Sequence, residues 1–289
     1  MLSPEIARRI REIEIYTRRL VSGSLVGSTS SAHKGSGLDF DQLRDYQMGD
    51  DVRFIDWHSS ARADRLLIKQ YIEDRNRTVL IAVDCSASTQ YGSGQRLKYD
   101  AMAEVAAVLA LVGNYGKDQV GLLMFSDDIE CYVPPARGNL HTRLLLEKMF
   151  TLAPRSQRTN IQRALDYLLQ LKKRNALVFL ISDFIGEYTK QSFHSIARLY
   201  DMIAVAVNDQ FEQNIPALGF LKVKDSESSN YHMLDLRSKN SGSVNSFFKE
   251  RQEEFKKICT SSGIDMVHLQ PEACAVGGLV RLFRRRMRY

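Results

Sequence analysis

The chain has 289 residues, of which 44% are hydrophobic and 26% are charged, and its formal net charge is +6. This composition is typical of a globular protein with a buried core and excludes a disordered or fibrous chain. No run of about 18 apolar residues occurs, so the sequence predicts no membrane span. The charged start lacks the apolar core of a secretory signal, and the four cysteines form no C-x-x-C pair. We therefore expect a cytoplasmic protein with reduced thiols.

The first 76 residues are predicted to form an N-terminal arm or subdomain. Isoleucines and leucine at helical spacing predict an amphipathic helix over residues 4–21. Residues 22–37 are rich in serine and glycine, which predicts a flexible loop. Residues 38–76 are polar and irregular, and they contain a strand-like stretch at 65–72.

From residue 77 onwards, apolar strands alternate with helical stretches. The predicted strands are 78–84, 119–125, 129–135, 175–183, 201–209 and 264–269, with a hairpin at 219–236. The predicted helices are 96–116, 139–151, 160–173, 189–200, 244–261 and 275–287. Strands that are apolar on both faces and separated by helices indicate a parallel sheet covered on both sides. We therefore predict a doubly wound α/β domain with a mostly parallel sheet over residues 77–289, with the proline-terminated strand 129–135 at its edge.

Acidic and hydroxyl residues follow the predicted strands, at the sheet edge where doubly wound folds bind ligands. The first strand ends on Asp84, and Ser86 and Ser88 follow at alternate positions, so these side chains point the same way. Thr159 stands at the start of a predicted helix and Asp183 at the end of a later strand. Carboxylates and hydroxyls are the hard oxygen ligands that Mg²⁺ prefers, so we predict a divalent-metal site. Helix capping by the same residues is the structural alternative.

This pattern resembles the metal-ion-dependent adhesion site of von Willebrand factor type A domains. The resemblance implies that Asp84, Ser86, Ser88 and Thr159 bind one Mg²⁺ or Mn²⁺, and that Asp183 acts mainly through water. It also implies that an acidic residue of a partner protein fills the open coordination position.

The segment before the α/β domain carries a second and more specific resemblance. Residues 35–71 contain Arg-x-Tyr, Gly-Asp-Asp, Ile-Asp-Trp and Ser-Ala-Arg in the order found in the bacterial family catalogued as domain of unknown function fifty-eight. The motif residues include Arg44, Asp50, Asp51, Asp56, Trp57 and Arg62. Members of this family are associated with MoxR-type AAA+ ATPases, as adaptors or in chaperone-like maturation of other proteins. The resemblance therefore implies an ATPase of this type as a partner.

The residues of the 35–71 segment also support an interpretation that does not depend on the resemblance. Its acidic residues are interleaved with arginines at similar density, which favours an internal network of salt bridges and turns over a second metal site. Trp57 is the only tryptophan of the chain, and we expect it to be a buried anchor that packs the arm against the core.

These observations favour a non-enzymatic, divalent-metal-dependent protein-binding module that works with the ATPase. The alternative is a metal-dependent phosphohydrolase or nuclease that uses the same acidic strand ends. Ser86 stands where a dehalogenase-type phosphatase needs a second aspartate as general acid. P-loop and nucleophile-elbow motifs are absent from the sequence. The arginine clusters near both termini are expected to be solvated helix faces, so nucleic acid is not an expected partner.

Overall fold

A computed structural model describes residues 8, 11–15, 17, 34–35, 39–72, 77–156, 158–172, 176–213, 215–216, 219–224, 231–236, 241–272 and 275–286. The chain divides into two compact units. The smaller unit is Arg18–Asn76, and the larger one combines Met1–Thr17 with Arg77–Tyr289. Residues 8, 11–15 and 17 are helical, and the rest of the predicted 4–21 helix lies outside the described residues.

The smaller unit contains a three-stranded antiparallel sheet. Its strands are β1 (Lys34–Gly35), β2 (Asp39–Asp45) and β3 (Leu67–Ile72), with β3 in the middle. A 3-10 turn (Val52–Phe54) and helix α1 (Trp57–Ala63) connect β2 to β3. The sequence predicted only β3, because the polar sequence DFDQLRD of β2 lacks the apolar content that marks a buried strand. Within the predicted 22–37 loop, the structure describes only Lys34 and Gly35, which form β1.

The larger unit is built on a six-stranded sheet. The strands of this sheet are β4 (Thr78–Asp84), β5 (Gln119–Phe125), β6 (Ile129–Ala136), β7 (Leu177–Ser182), β8 (Asp201–Val207) and β11 (Asp265–Leu269). A separate antiparallel hairpin consists of β9 (Gly219–Lys224) and β10 (Tyr231–Leu236). The order in the large sheet is β11-β8-β7-β4-β5-β6, and every pair is parallel except β5 with β6. The predicted doubly wound, mostly parallel sheet is confirmed.

Helices flank this sheet. Their bounds are α2 (Lys98–Tyr115), α3 (Asn139–Thr151), α4 (Ile161–Leu171), α5 (Lys190–Leu199), α6 (Gln210–Gln213), α7 (Ser241–Ser262) and α8 (Ala275–Arg286). Helix α2 contacts α3 and α8, whereas α5 contacts α4 and α7, so the helices form two groups. Phe193 and Phe255 from the second group pack with strand residues such as Leu80 and Leu180 in one buried cluster. Among the described helices, none is long and apolar enough to cross a membrane.

The antiparallel strand β6 lies at one edge of the sheet, as its prolines predicted. Its pairing with β5 shifts register between Val133 and Ala136, where Pro134 and Pro135 interrupt the ladder. Gly121 of β5 stands opposite this irregularity, and a Cβ added there would lie 2.9 Å from Pro135 Cγ. The absence of a side chain at Gly121 therefore allows the close approach of β6.

Candidate metal centre

The predicted site lies at the topological switch point of the sheet. Strands β4 and β7 are neighbours at its centre, and the chain proceeds from β4 to β5 on one side and from β7 to β8 on the other. In doubly wound sheets, the crevice beyond the carboxyl ends of two such strands is the usual ligand site. Asp84 is the last residue of β4, and Asp183 follows directly after β7, one residue beyond the strand end at Ser182.

Three hydroxyl groups from two separate loops meet at this edge, and we call Ser86, Ser88 and Thr159 the hydroxyl cluster. Ser86 Oγ lies 3.1 Å from Ser88 Oγ, and Ser88 Oγ lies 3.4 Å from Thr159 Oγ1. Ser86 and Thr159 are buried, and Ser88 is partly buried. The contact of Ser88 with Thr159 joins residues 71 positions apart in the chain.

Helix capping does not account for the hydroxyl cluster. Helix α4 is capped by Asn160, whose side chain accepts a hydrogen bond from the Arg163 N–H at 3.0 Å. Ser86 precedes a 3-10 turn (Ala87–Gln90) but makes no capping hydrogen bond with its side chain. Helix α2 begins only at Lys98, after a position without a side-chain cap. The capping alternative that the sequence left open therefore applies to Asn160, the neighbour of Thr159.

Asp84 is a fully buried carboxylate within this site. The Ser86 N–H donates to Asp84 Oδ1 at 3.0 Å, and the Ser182 hydroxyl donates to Asp84 Oδ2 at 2.7 Å. Burial, together with the nearby negative charge of Asp183, raises the pKa of Asp84 to about 7. A cation at this edge of the sheet would stabilise the ionised form of Asp84.

Ser182 is a site residue that the sequence analysis missed. Its hydroxyl oxygen donates to Asp84 and accepts the Phe184 N–H at 3.0 Å, so one buried side chain links both strand ends. Phe184 has a φ of +56°, a left-handed conformation that bulky residues rarely adopt. Its ring stacks on Phe255 with 3.9 Å between centroids, and this packing holds the turn after β7. The hydroxyl one residue before Asp183 was the available sequence signal.

Lys98 is the second residue that the sequence analysis missed. Its Nζ donates to Asp183 Oδ2 at 2.8 Å and to Glu212 Oε1 at 2.7 Å, and its side chain is only 1% exposed. Burial opposes the charge of Lys98, but the two carboxylates outweigh it and raise the lysine pKa. The position of Lys98 at helical spacing before buried Ala101 and Met102 is the signal that could have revealed its burial.

The donor set fits a hard divalent cation. Mg²⁺ takes octahedral oxygen ligands at about 2.0–2.1 Å, so adjacent ligand oxygens lie about 3 Å apart. The separations of 3.1 and 3.4 Å within the hydroxyl cluster are close to such an octahedral edge. Within the described part of the chain, no group of three or more His, Cys, Asp or Glu side chains is arranged to hold a metal. A cation at this edge would therefore depend on hydroxyl ligands as well as on carboxylates.

In the smaller unit, the acidic motif residues are bound by local partners. Arg44 makes a bidentate ion pair with Asp50, with distances of 2.6 and 2.7 Å, and the Gln47 N–H also donates to Asp50. The hydrogen bonds from Arg44 lower the pKa of Asp50 to about 2. Asp51 caps the 3-10 turn and Asp56 caps α1. These contacts form the network of salt bridges and turns that the charge pattern favoured.

Trp57 is not a buried anchor, and that expectation is wrong. Its side chain is 67% exposed at the first position of α1, whose buried residue is Ser60. Ser60 Oγ accepts the Leu67 N–H at 2.8 Å, so a hydrogen bond from the buried face of the helix ties α1 to β3. Arg62 is also exposed, in the last turn of α1.

The comparisons with known proteins agree with this architecture. A family model described as "Protein of unknown function DUF58" matches residues 42–254. Uncharacterized protein Rv1480 of Mycobacterium tuberculosis is 29% identical over 228 residues, which cover 78% of this chain and 72% of the relative. BatB from Bacteroides thetaiotaomicron matches with a TM-score of 0.50 and 15% identity, covering 74% of this chain and 100% of its own. An aerotolerance-related membrane protein from Bacteroides fragilis matches with a TM-score of 0.50 and 14% identity. The match covers 73% of this chain and 98% of that protein's chain.

The structural similarities show that the chain shares the von Willebrand factor type A-like fold of these proteins. The family model spans most of the chain, from β2 in the smaller unit to α7 in the larger one. Its match begins within the segment whose motifs suggested this family and includes the hydroxyl cluster, Asp84 and Asp183. The chain therefore belongs to the family of proteins of unknown function DUF58.

Proposed function

We propose that this chain is a non-enzymatic, divalent-metal-dependent protein-binding module. The hydroxyl cluster beside buried Asp84 at the switch point is the observation that carries the proposal. Asp84, Ser86, Ser88 and Thr159 would hold Mg²⁺ or Mn²⁺, and Asp183 would support the ion through water. The bound ion would supply a positive position that attracts a carboxylate. Few of its ligands are charged, so the centre favours a further anionic ligand.

An acidic side chain of a partner protein is the ligand that suits this centre. A carboxylate that joins a cation in a water-poor setting gains more from the charge interaction than it would in bulk water. The motif resemblance supports a MoxR-type AAA+ ATPase as a working partner, with the chain as its adaptor in the maturation or assembly of other proteins. A cytoplasmic location remains a prediction from the sequence.

The alternative of a metal-dependent phosphohydrolase or nuclease requires further groups at the centre. Phosphoryl chemistry needs a cation that contacts the transferred phosphate and a base that positions the nucleophile. Lys98, the buried cation bound to Asp183, is engaged by two carboxylates and does not face solvent. Lys98 therefore does not supply the phosphate contact that this alternative needs. Metal-dependent turnover of a model phosphate ester would support the alternative instead.

Isothermal titration of metal-stripped protein with Mg²⁺ and Mn²⁺ tests the site. We expect the wild type to bind one ion. We expect Asp84→Asn to weaken binding by more than about 10–100-fold, which is the usual effect of losing only an outer-shell partner of a metal ligand. Asp127→Asn is the matched control, because Asp127 is an exposed carboxylate after β5, outside the hydroxyl cluster. A wild type without metal binding, or an Asp84→Asn variant with unchanged affinity, would contradict the proposal.

The same proteins test the partner. Purified MoxR-type ATPase should be retained by immobilised wild type in the presence of Mg²⁺ and should be lost with a chelator or with Asp84→Asn. Asp127→Asn should retain the ATPase like the wild type. Retention that is equal with and without metal would place the ATPase contact away from this centre.

A further inference from the structure

Lys98 is a buried cation beside the candidate metal centre, and its location is energetically unfavourable without compensation. It is the first residue of α2, where the partial positive charge of the helix N-terminus opposes a cation. Lysines are almost never fully buried unless they are paired. An apolar residue of similar volume would fill such a position with less desolvation cost than an ion network. The positive charge of Lys98 is therefore a feature that packing does not explain.

The contacts of Lys98 connect it to the metal centre. One partner is Asp183, whose side chain is fully buried at the end of β7, and the other is Glu212, whose side chain is 13% exposed in α6. Asp183 directly follows Ser182, whose hydroxyl donates to Asp84 Oδ2 at 2.7 Å, so the two aspartates stand at the ends of neighbouring strands. The charge of Lys98 thus partly neutralises Asp183, which stands next to the predicted metal ligand Asp84.

A charge count shows what Lys98 contributes. When a bound cation keeps Asp84 ionised, the carboxylates of Asp84, Asp183 and Glu212 carry −3 in total, and Lys98 reduces this to −2. A divalent ion would then bring the group to zero. If Lys98 were absent, the same group with its ion would carry −1, which would repel the carboxylate of a partner and hold the cation more strongly.

We propose that Lys98 determines the ligand specificity of the metal centre: its charge limits cation affinity and keeps the bound cation attractive to an acidic residue of a partner protein. This inference rests on the proposed function. Lys98 acts through Asp183, so it is not a metal ligand. It is a positioning residue whose charge adjusts the electrostatic environment of the ligands.

Two neutral variants with opposite effects test the inference. Lys98→Met removes the positive charge and keeps the side-chain length, and we expect it to tighten Mn²⁺ binding by about tenfold. Glu212→Gln removes a negative charge from the other end of the network and should weaken Mn²⁺ binding by a similar factor. Lys148→Met, at an exposed lysine of α3, controls for the change in overall charge and should leave the affinity unchanged. Isothermal titration of folded protein gives all these affinities.

Acetate serves as the probe for the partner carboxylate. With saturating Mn²⁺, water-proton relaxation reports the loss of metal-bound water when acetate binds. Acetate affinity should fall in Lys98→Met and rise in Glu212→Gln, opposite to the changes in Mn²⁺ affinity. A merely structural role of Lys98 would weaken the binding of both Mn²⁺ and acetate in both variants.

The outcomes separate the two proposals. A wild type that binds no Mn²⁺ would overturn the proposed function and this inference together. A wild type that binds Mn²⁺, with a Lys98→Met affinity that is unchanged or weaker, would overturn the inference alone. If circular dichroism shows that Lys98→Met does not fold, Glu212→Gln decides by itself, and unchanged or tighter Mn²⁺ binding in that variant would overturn the inference.

Discussion

Ser182 offers a direct test of how the two central strand ends are held together. In Ser182→Ala, the Asp84 carboxylate loses its 2.7 Å donor, and the Phe184 N–H loses its 3.0 Å acceptor. Asp84 is fully buried and Phe184 is 4% exposed, so bulk water does not replace either partner. A hydrogen bond to a charged group contributes about 1.5–3 kcal/mol, and a buried amide left without a partner costs about 1–3 kcal/mol. We expect a loss of about 3–5 kcal/mol in the free energy of unfolding.

Urea unfolding followed by circular dichroism measures this loss, at mildly alkaline pH where Asp84 is ionised. Ser261→Ala is the matched control, because exposed Ser261 donates only to the uncharged Ile258 carbonyl at the end of α7. We expect that control to lose at most about 1 kcal/mol. If Ser182→Ala also lost less than about 1 kcal/mol, the hydrogen bonds of Ser182 would not hold the site, and the reasoning would be refuted.

Two further predictions concern the smaller unit. Arg44 holds the pKa of Asp50 at about 2, below its usual 3.8. The ion pair therefore stabilises the folded unit fully at pH values above 3.8, and this stabilisation is lost as the pH falls through about 2. The fluorescence of Trp57 during acid titration should show this loss in the wild type, and its change with pH should be smaller in Asp50→Asn. Identical pH profiles in the two proteins would disprove the prediction. Trp57→Ala should change the free energy of urea unfolding by less than about 0.5 kcal/mol, since the side chain is 67% exposed. A loss of several kcal/mol would show that the indole is buried in solution.

The sheet of the larger unit could be predicted because its strands are continuous apolar segments. In β4, residues from Val79 to Asp84 are all buried, as the pattern of a strand covered on both faces requires. Strand β2 escaped prediction for the opposite reason, since its polar sequence forms a small sheet with little apolar content. The position of Asp84 at a strand end followed from the same apolar run that located β4.

The parts of the site that depend on contacts between residues far apart in the chain were harder to predict from the sequence. The meeting of Ser88 with Thr159 follows from strand topology, since both residues stand in loops at the carboxyl edge of one sheet. The burial of Lys98 depends on Glu212, which is 114 positions away, and lysines are exposed in most contexts. The error on Trp57 has a local cause, because a short helix buries one narrow face and the first position of α1 lies outside it.

The prolines of β6 have a consequence for self-association. An edge strand normally presents unpaired N–H and C=O groups that can template the addition of another strand, which is a route to aggregation. Pro134 and Pro135 have no N–H to donate, and the pairing register with β5 shifts beside them. This edge is therefore poorly suited to extension by a second chain.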